Sequence, residues 1–379
     1  MTETVLSNAR LVLRDSVVAG HVHLRDGLIG SVDSGAVAGA AVDMQGDYLL
    51  PGLVELHTDN LERHVTPRPN AVWPMLPAVI AHDAQIAAAG ITTVFDAIAL
   101  GDVLPISFRT ENLTAMVDGV DDAMQARLLR IEHYLHLRCE VCFPALPDLL
   151  DPLLGRAIVR LASIMDHTPG QRQFVSMQKY ADYYQAKYGM TDAEFADFVA
   201  ARRGEQTQYA EKHRRHVVDI CHAHAIPMAS HDDATAAHVA AAVRDGLTIA
   251  EFPTTAAAAL ACNAHGMAVM MGAPNLLRGG SHSGNVSARD LAADGLVDIL
   301  SSDYVPSSLI PAAFRLADLV DGVDLPAAVR CISANPAASV GLNDRGEIAP
   351  GLLADLVQVR ETEAGPAVVA VWKRGERVL

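Results

Sequence analysis

An α/β fold is predicted for this chain: a closed parallel barrel, with a small β-sandwich assembled from the two ends. Three observations predict it. The central part alternates apolar strand-like runs with alanine-rich helical segments, which is the pattern of a parallel sheet. These runs fall at 53–58, 91–97, 132–140, 161–166, 226–230, 247–252, 267–271 and 297–302. Both ends instead carry short strands and tight turns, so they are expected to meet in one β-layer. Eight parallel strands close a TIM-like (β/α)8 barrel, whose chemistry sits at the C-terminal ends of its strands. Polar residues follow several of the runs, where that architecture needs them.

The elements follow in order. Residues 1–50 supply Leu11-Val12-Leu13, Val17-Val18 and His21-Val22-His23-Leu24 as strand pieces, with Arg25-Asp26-Gly27 as a hairpin turn. Residues 345–379 repeat this texture in Asp355–Val359 and Val368–Trp372, with a turn at Arg374-Gly375-Glu376. Between them, 51–344 is assigned to the barrel. Residues 170–225 form a long charged insertion with Tyr180, Tyr183, Tyr184, Lys187 and Tyr188. Leaving from a strand's C-terminal end, it reads either as a helical lid over the site or as a solvated helical hairpin.

Composition narrows the function. The 379 residues, half of them hydrophobic, can bury a large core. No charge-free apolar run approaches the ~18–20 residues of a membrane helix, and the N-terminus lacks a basic segment followed by an apolar one. A formal charge of −16 argues against nucleic acid or an anionic membrane as partner. It still allows an anionic small substrate, because a few arginines can dominate one cleft. Cys139-x-x-Cys142 has no second pair to complete a zinc ribbon, and five scattered cysteines fit a reduced, cytoplasmic protein. A homo-oligomer is left open.

The chemistry is carried by strand ends. In Leu53-Val54-Glu55-Leu56-His57-Thr58-Asp59, two residues spaced by one on a strand point to the same side, so His57 and Asp59 can share a metal. Glu140, His167, His231 and Asp303 close later runs in the same way. Singly, a buried histidine is more often a hydrogen-bonded core residue than a ligand; the recurrence is what argues for a metal centre. Such N/O donors suit two divalent ions, zinc first, with manganese or iron as alternatives. Lys179, Lys187, Lys212 and Lys373 are the only lysines, and none lies at an early strand end, so a carbamylated lysine cannot bridge the metals. Glu140 is the natural bridging carboxylate, with His133 and His136 read as supporting or core residues. A loop after the seventh run, Asn275–Asn285, offers Arg278, Gly279, Gly280, Ser281 and His282 to an anion. Arg68, Arg172 and the lid residue Lys187 are further candidates for the same cleft.

Several stretches together resemble the amidohydrolase superfamily: Pro51-Gly52 before His57, Gly90-Ile91-Thr92-Thr93, His167, His231, Asp303 and Gly351–Leu356. ELHTDNLERHVTPRP (55–69), HLRCE (136–140), MDHTPGQRQF (165–174), ASHDDAT (229–235), AEFPTT (250–255), MGAPNLLRGGSHSGN (271–285) and LSSDYVPSSL (300–309) narrow this further. They are similar to the diphosphatases of the carbon–phosphorus lyase pathway. The resemblance implies hydrolysis of α-D-ribose 1-methylphosphonate 5-triphosphate to the 5-phosphate and diphosphate, with Asp303 as proton acceptor and metal ligand. Without the phosphate loop, the metal pattern would favour a cyclic amidase or deaminase. Asp59 stands where most of the superfamily has a second histidine. The superfamily also places its later two histidines on strands five and six, whereas the runs here put them on four and five, which implies one further strand before 161 or a miscount after 231.

Overall fold

The structure, a computed structural model, describes residues 3–35, 37, 39–68, 71–104, 107–172, 177–281 and 284–379; within Met177–Tyr188 the side chains of residues 179, 182, 183 and 186–188 fall outside it. Five strands open the chain: β1 (Glu3–Val12), β2 (Val17–Arg25), β3 (Leu28–Asp33), β4 (Val42–Asp43) and β5 (Tyr48–Pro51). Eight parallel strands follow: β6 (Leu53–Thr58), β7 (Ile91–Leu100), β8 (Glu132–Glu140), β9 (Val159–Met165), β10 (Met228–His231), β11 (Ile249–Glu251), β12 (Ala268–Gly272) and β13 (Ile299–Ser301). The chain closes with β14 (Leu356–Thr362), β15 (Gly365–Lys373) and β16 (Glu376–Arg377).

The terminal strands form one continuous sheet in the order β16-β15-β14-β5-β1-β2-β3, with β4 also beside β1. Leu24 of β2 and Trp372 of β15, from the two ends of this order, share one apolar cluster, as the expected β-sandwich requires. The antiparallel pairing of β14 with β5, Leu356 opposite Pro51, joins the chain's two ends. Leu6, Leu11, Val22, Leu24, Leu49, Leu356 and Trp372 form its own apolar core. Gly52 hands the chain from this sheet to the barrel. A Cβ there would lie 2.3 Å from Thr92 Oγ1, so only glycine lets the two layers approach this closely.

The barrel strands run β6 through β13 in sequence order, and no further strand lies among them in the described residues. The extra strand implied by the superfamily's numbering is absent; His167 follows the fourth strand and His231 ends the fifth. Strands buried on both faces read as continuous apolar runs, and every residue of β6 and β7 is buried. Val54, Leu56, Phe95, Leu161, Ile249, Met270 and Ile299 form one apolar cluster with Ala337, Val340 and Leu342. Each such side chain contributes about 1.5–3 kcal/mol by burial. A polar seam draws the last strand to the first. Buried Glu55 accepts hydrogen bonds from Ser301 Oγ at 2.8 Å and from the backbone N–H groups of His57 and Ser302 at 2.7 and 2.6 Å. Thr58 Oγ1 donates to the carbonyl of Asp303 at 2.7 Å, beside a bridge between the same two residues.

After β9 come two helices, Met177–Tyr188 and Asp192–Ala223. The second starts on a capping box in which Thr191 and Glu194 bond reciprocally. Tyr180, Tyr184 and Val199 pack with Val103 into a satellite apolar cluster, which ties this hairpin to the loop after β7. The hairpin is thus held at the C-terminal mouth of the barrel.

Candidate active site

One cavity opens at that mouth, with His57, Asp59, Glu140, His167, His231 and Asp303 all in its lining. Asp59 gets there by a route the strand argument did not foresee. β6 ends at Thr58 with its register broken between Glu55 and Thr58, and Asp59 instead precedes the helix Asn60–Val65. Its nearest cation is Arg109, 4.0 Å away.

The imidazoles are aimed by carboxylates. His231 and Glu251 lie side by side in the β10–β11 register, and His231 Nδ1 pairs with Glu251 Oε2 at 2.9 Å. The other oxygen, Glu251 Oε1, is 3.4 Å from both His57 Nδ1 and His136 Nε2. Glu140 holds His167 through Nδ1 at 2.7 Å, leaving Nε2 facing Asp232 Oδ2 at 3.9 Å. The same Asp232 oxygen is 3.4 Å from His231 Nε2. Carboxylates that fix imidazole orientation in this way are the usual support of a metal site.

Electrostatics favour a cation here. Burial lowers His57 and His231 well below the ordinary histidine range, so both are neutral and can offer a lone pair. Burial raises Asp232 to about 7, and burial together with the charge of Asp59 raises Asp303 to about 7. Burial would also lower His167, but Glu140 outweighs it and the net shift is upward. His57 Nδ1, His136 Nε2, Glu251 Oε1 and Asp232 Oδ2 are buried without a hydrogen-bond partner. Donor atoms of His167, His231 and Asp232 lie within 4.8 Å of one another, as do those of His57, His136 and Glu251. Orphaned nitrogen and oxygen donors converging in a desolvated cluster fit a borderline divalent ion. Backbone strain collects at the same place: Asp232, Phe252 and Asp303 have φ of 56°, 54° and 53°. For a phenylalanine that conformation is rare, and such strain concentrates at functional sites.

The anion-suited loop also reaches the cavity, through Asn275, Arg278, Gly280, Ser281 and Asn285. Gly279 ends the helix Ala273–Arg278 with φ 78°, the left-handed turn that swings Gly280 and Ser281 toward the mouth. Asn275 pins the loop through Val286 O at 3.2 Å and Ala288 N at 3.0 Å. Arg172 and Arg68 are not brought there. Arg172 donates to the carbonyl of His231 at 2.9 Å and is ion-paired with Asp233, so its guanidinium is engaged behind the cavity wall. Arg68 is exposed and absent from the lining, and its backbone bridges to Ala71. His282 and the side chain of Lys187 lie outside the described residues.

Sequence reasoning missed Asp232, Glu251, Arg138 and Arg109. Glu251 carried a usable signal, a carboxylate closing the apolar run 247–252 just as His57 closes its own.

Residues 48–378 match the Amidohydrolase family. The chain belongs to this family of hydrolases. It is 46% identical over 376 residues to the α-D-ribose 1-methylphosphonate 5-triphosphate diphosphatase of Escherichia coli (strain K12), covering 99% of this chain and all of that protein. Among solved structures it is similar to N-acetyl-D-glucosamine-6-phosphate deacetylase from Mycobacterium smegmatis (TM-score 0.64, 17% identity, 100% of both chains). N-isopropylammelide isopropylaminohydrolase from Burkholderia multivorans gives a TM-score of 0.65 at 17% identity, covering 100% of this chain and 98% of that one. At such identities these structures show the shared barrel-and-sheet fold alone. Among the described residues, no helix is long and apolar enough to cross a membrane.

Proposed function

We propose that this enzyme hydrolyses α-D-ribose 1-methylphosphonate 5-triphosphate to the 5-phosphate and diphosphate, in phosphonate breakdown in the cytoplasm. The observation that carries the reading is that one cavity joins an imidazole–carboxylate cluster to a rim bearing Arg278, Gly280, Ser281 and Asn285. The full-length relationship to the Escherichia coli diphosphatase supports the choice of substrate.

His57, Asp59, Glu140, His167, His231 and Asp303, with Asp232 added from the geometry, would hold two divalent ions, zinc first. Bound divalent metal lowers the pKa of water from ~15.7 toward ~7 and screens phosphate charge. Glu251 and Glu140 keep the imidazoles oriented. Water adds to the α-phosphorus, and the bond from that atom to the α–β bridging oxygen breaks. The bridging oxygen leaves with diphosphate, and Asp303 takes the proton from the water. Arg278 and the N–H groups of the glycine turn hold the departing diphosphate, whose charge grows as the bond breaks.

Phosphorus NMR of the metal-loaded enzyme, with the ribosyl triphosphate and a cyclic amide assayed in parallel, tests this. Diphosphate release with no amide cleavage is expected. Amide cleavage with an intact triphosphate would replace this reading by that of a cyclic amidase.

A further inference from the structure

Guanidinium groups that this fold removes from water are matched by carboxylates. Arg109 Nε is 2.9 Å from Glu62, Arg214 Nε is 2.6 Å from Asp245, and Arg172, Arg202 and Arg345 pair with Asp233, Glu205 and Glu132. Arg138 breaks the pattern. It lines the cavity and is partly buried, its Nε is shut off from solvent with no acceptor, and it has no ion pair among the described residues.

Its position follows from the alternation of β8. Leu135, Leu137 and Cys139 belong to the apolar layer outside the barrel, so His136, Arg138 and Glu140 share the inner face. The neighbours on that face are already committed, His136 to the Leu56 carbonyl at 2.9 Å and Glu140 to His167 at 2.7 Å. Arg138 therefore stands between the two groups of metal-ligand candidates with its donors unclaimed. The other cavity-lining arginines differ: Arg109 is neutralised by Glu62, and Arg278 is exposed at the rim. An unpaired cation withdrawn from water is costly unless a ligand anion completes it. A guanidinium fork matches two oxygens of one phosphoryl group and has no equivalent match to a single amide carbonyl.

We propose that Arg138 grips the non-bridging oxygens of the phosphorus under attack, making this barrel selective for a phosphoryl over a carbonyl centre. The assignment rests on the triphosphate reading above. It gives the inner wall and the rim separate tasks: Arg138 takes the reacting phosphoryl, and Arg278 with the glycine turn takes the two that depart.

The test compares metal-loaded wild type, Arg138→Met and Arg138→Lys on the ribosyl triphosphate, and on its two forms with sulfur at one non-bridging α oxygen. Arg138→Met should lose roughly 10²–10³-fold in kcat, the usual effect of deleting one charge-stabilising donor, with its metal content unchanged. Arg138→Lys keeps the charge without the fork; its turnover should be intermediate, and its preference between the two sulfur forms should differ from that of wild type. Wild-type turnover by Arg138→Met overturns the assignment. If that variant does not fold or load metal, Arg138→Lys decides, and an unchanged sulfur preference overturns the assignment equally. Absence of triphosphate hydrolysis by wild type removes the functional reading itself, and the role of Arg138 with it.

Discussion

Two buried clusters of histidine and carboxylate sit in this barrel, and they differ in what they leave unfinished. In the first, His82, Asp96 and His133 lie between the helix Met75–Ala88 and strands β7 and β8. Asp96 takes His82 Nε2 at 2.6 Å on one oxygen and His133 Nδ1 at 2.7 Å on the other. Asn60 Nδ2 reaches His82 at 3.1 Å, and Asp83 stands 3.4 Å from His133 Nε2, which has no hydrogen-bond partner, while also binding Arg130 at 2.9 Å. In the second, around His57, His167, His231 and Asp232, donor atoms converge on a cavity and several are left without partners. Residue types are the same in both. A network enclosed in the core, with no cavity beside it, fixes structure, whereas one whose orphaned donors converge on a cavity is ready for a ligand.

Substitutions in the two clusters should have opposite effects. Asp303→Asn should lower turnover by ~10²–10⁴-fold, the usual worth of a general base. Its apparent substrate affinity should change less, and thermal unfolding should show no loss of stability. Near-normal turnover would leave Asp303 a structural residue. Asp96→Asn should do the reverse. Removing the acceptor of a buried imidazolium costs about 3–5 kcal/mol, which denaturant unfolding would register, while the folded fraction keeps its turnover. A stable but inactive Asp96→Asn would place the first cluster in the catalytic machinery after all.

Arg278→Ala should raise the KM for triphosphate by ~10–100-fold, as expected for a charge-assisted bond of ~1.5–3 kcal/mol, with bound metal unchanged. An unaltered KM would make the glycine loop structural. Stability should also carry a pH signature of the first cluster. Burial works against the His133 imidazolium, but Asp96 and Asp83 outweigh it and raise its pKa from 6.5 to about 9. The stability this confers is complete below pH 6.5 and is lost as pH rises through about 9. The thermal midpoint should therefore decline across that interval, and decline less in His133→Gln.

The ease of reading this chain differed by region for a physical reason. All eight barrel strands were legible, because strands buried on two faces are mostly apolar and polar residues gather toward their C-terminal ends. His57, Glu140, His167, His231 and Asp303 stood out by that contrast. The arginines did not. Arg172 and Arg138 look equally available in sequence, yet Asp233 takes the first and, among the described residues, no carboxylate takes the second, a difference made by pairing between residues far apart along the chain. Glu251 escaped because its work is to orient His231 from the neighbouring strand, and adjacency across a sheet leaves no local mark. Asp59 showed the limit of strand periodicity at a strand's last residue, where the helix Asn60–Val65 already begins.

On the proposed reaction, water attacks the α-phosphorus of a ribosyl triphosphate in the cavity at the mouth of the barrel. Hydrolysis by the metal-loaded enzyme in oxygen-18 water, with mass analysis of both products, tests it most directly. One labelled oxygen is expected in the 5-phosphate and none in the diphosphate. Label in the diphosphate, or release of inorganic phosphate instead, would contradict it.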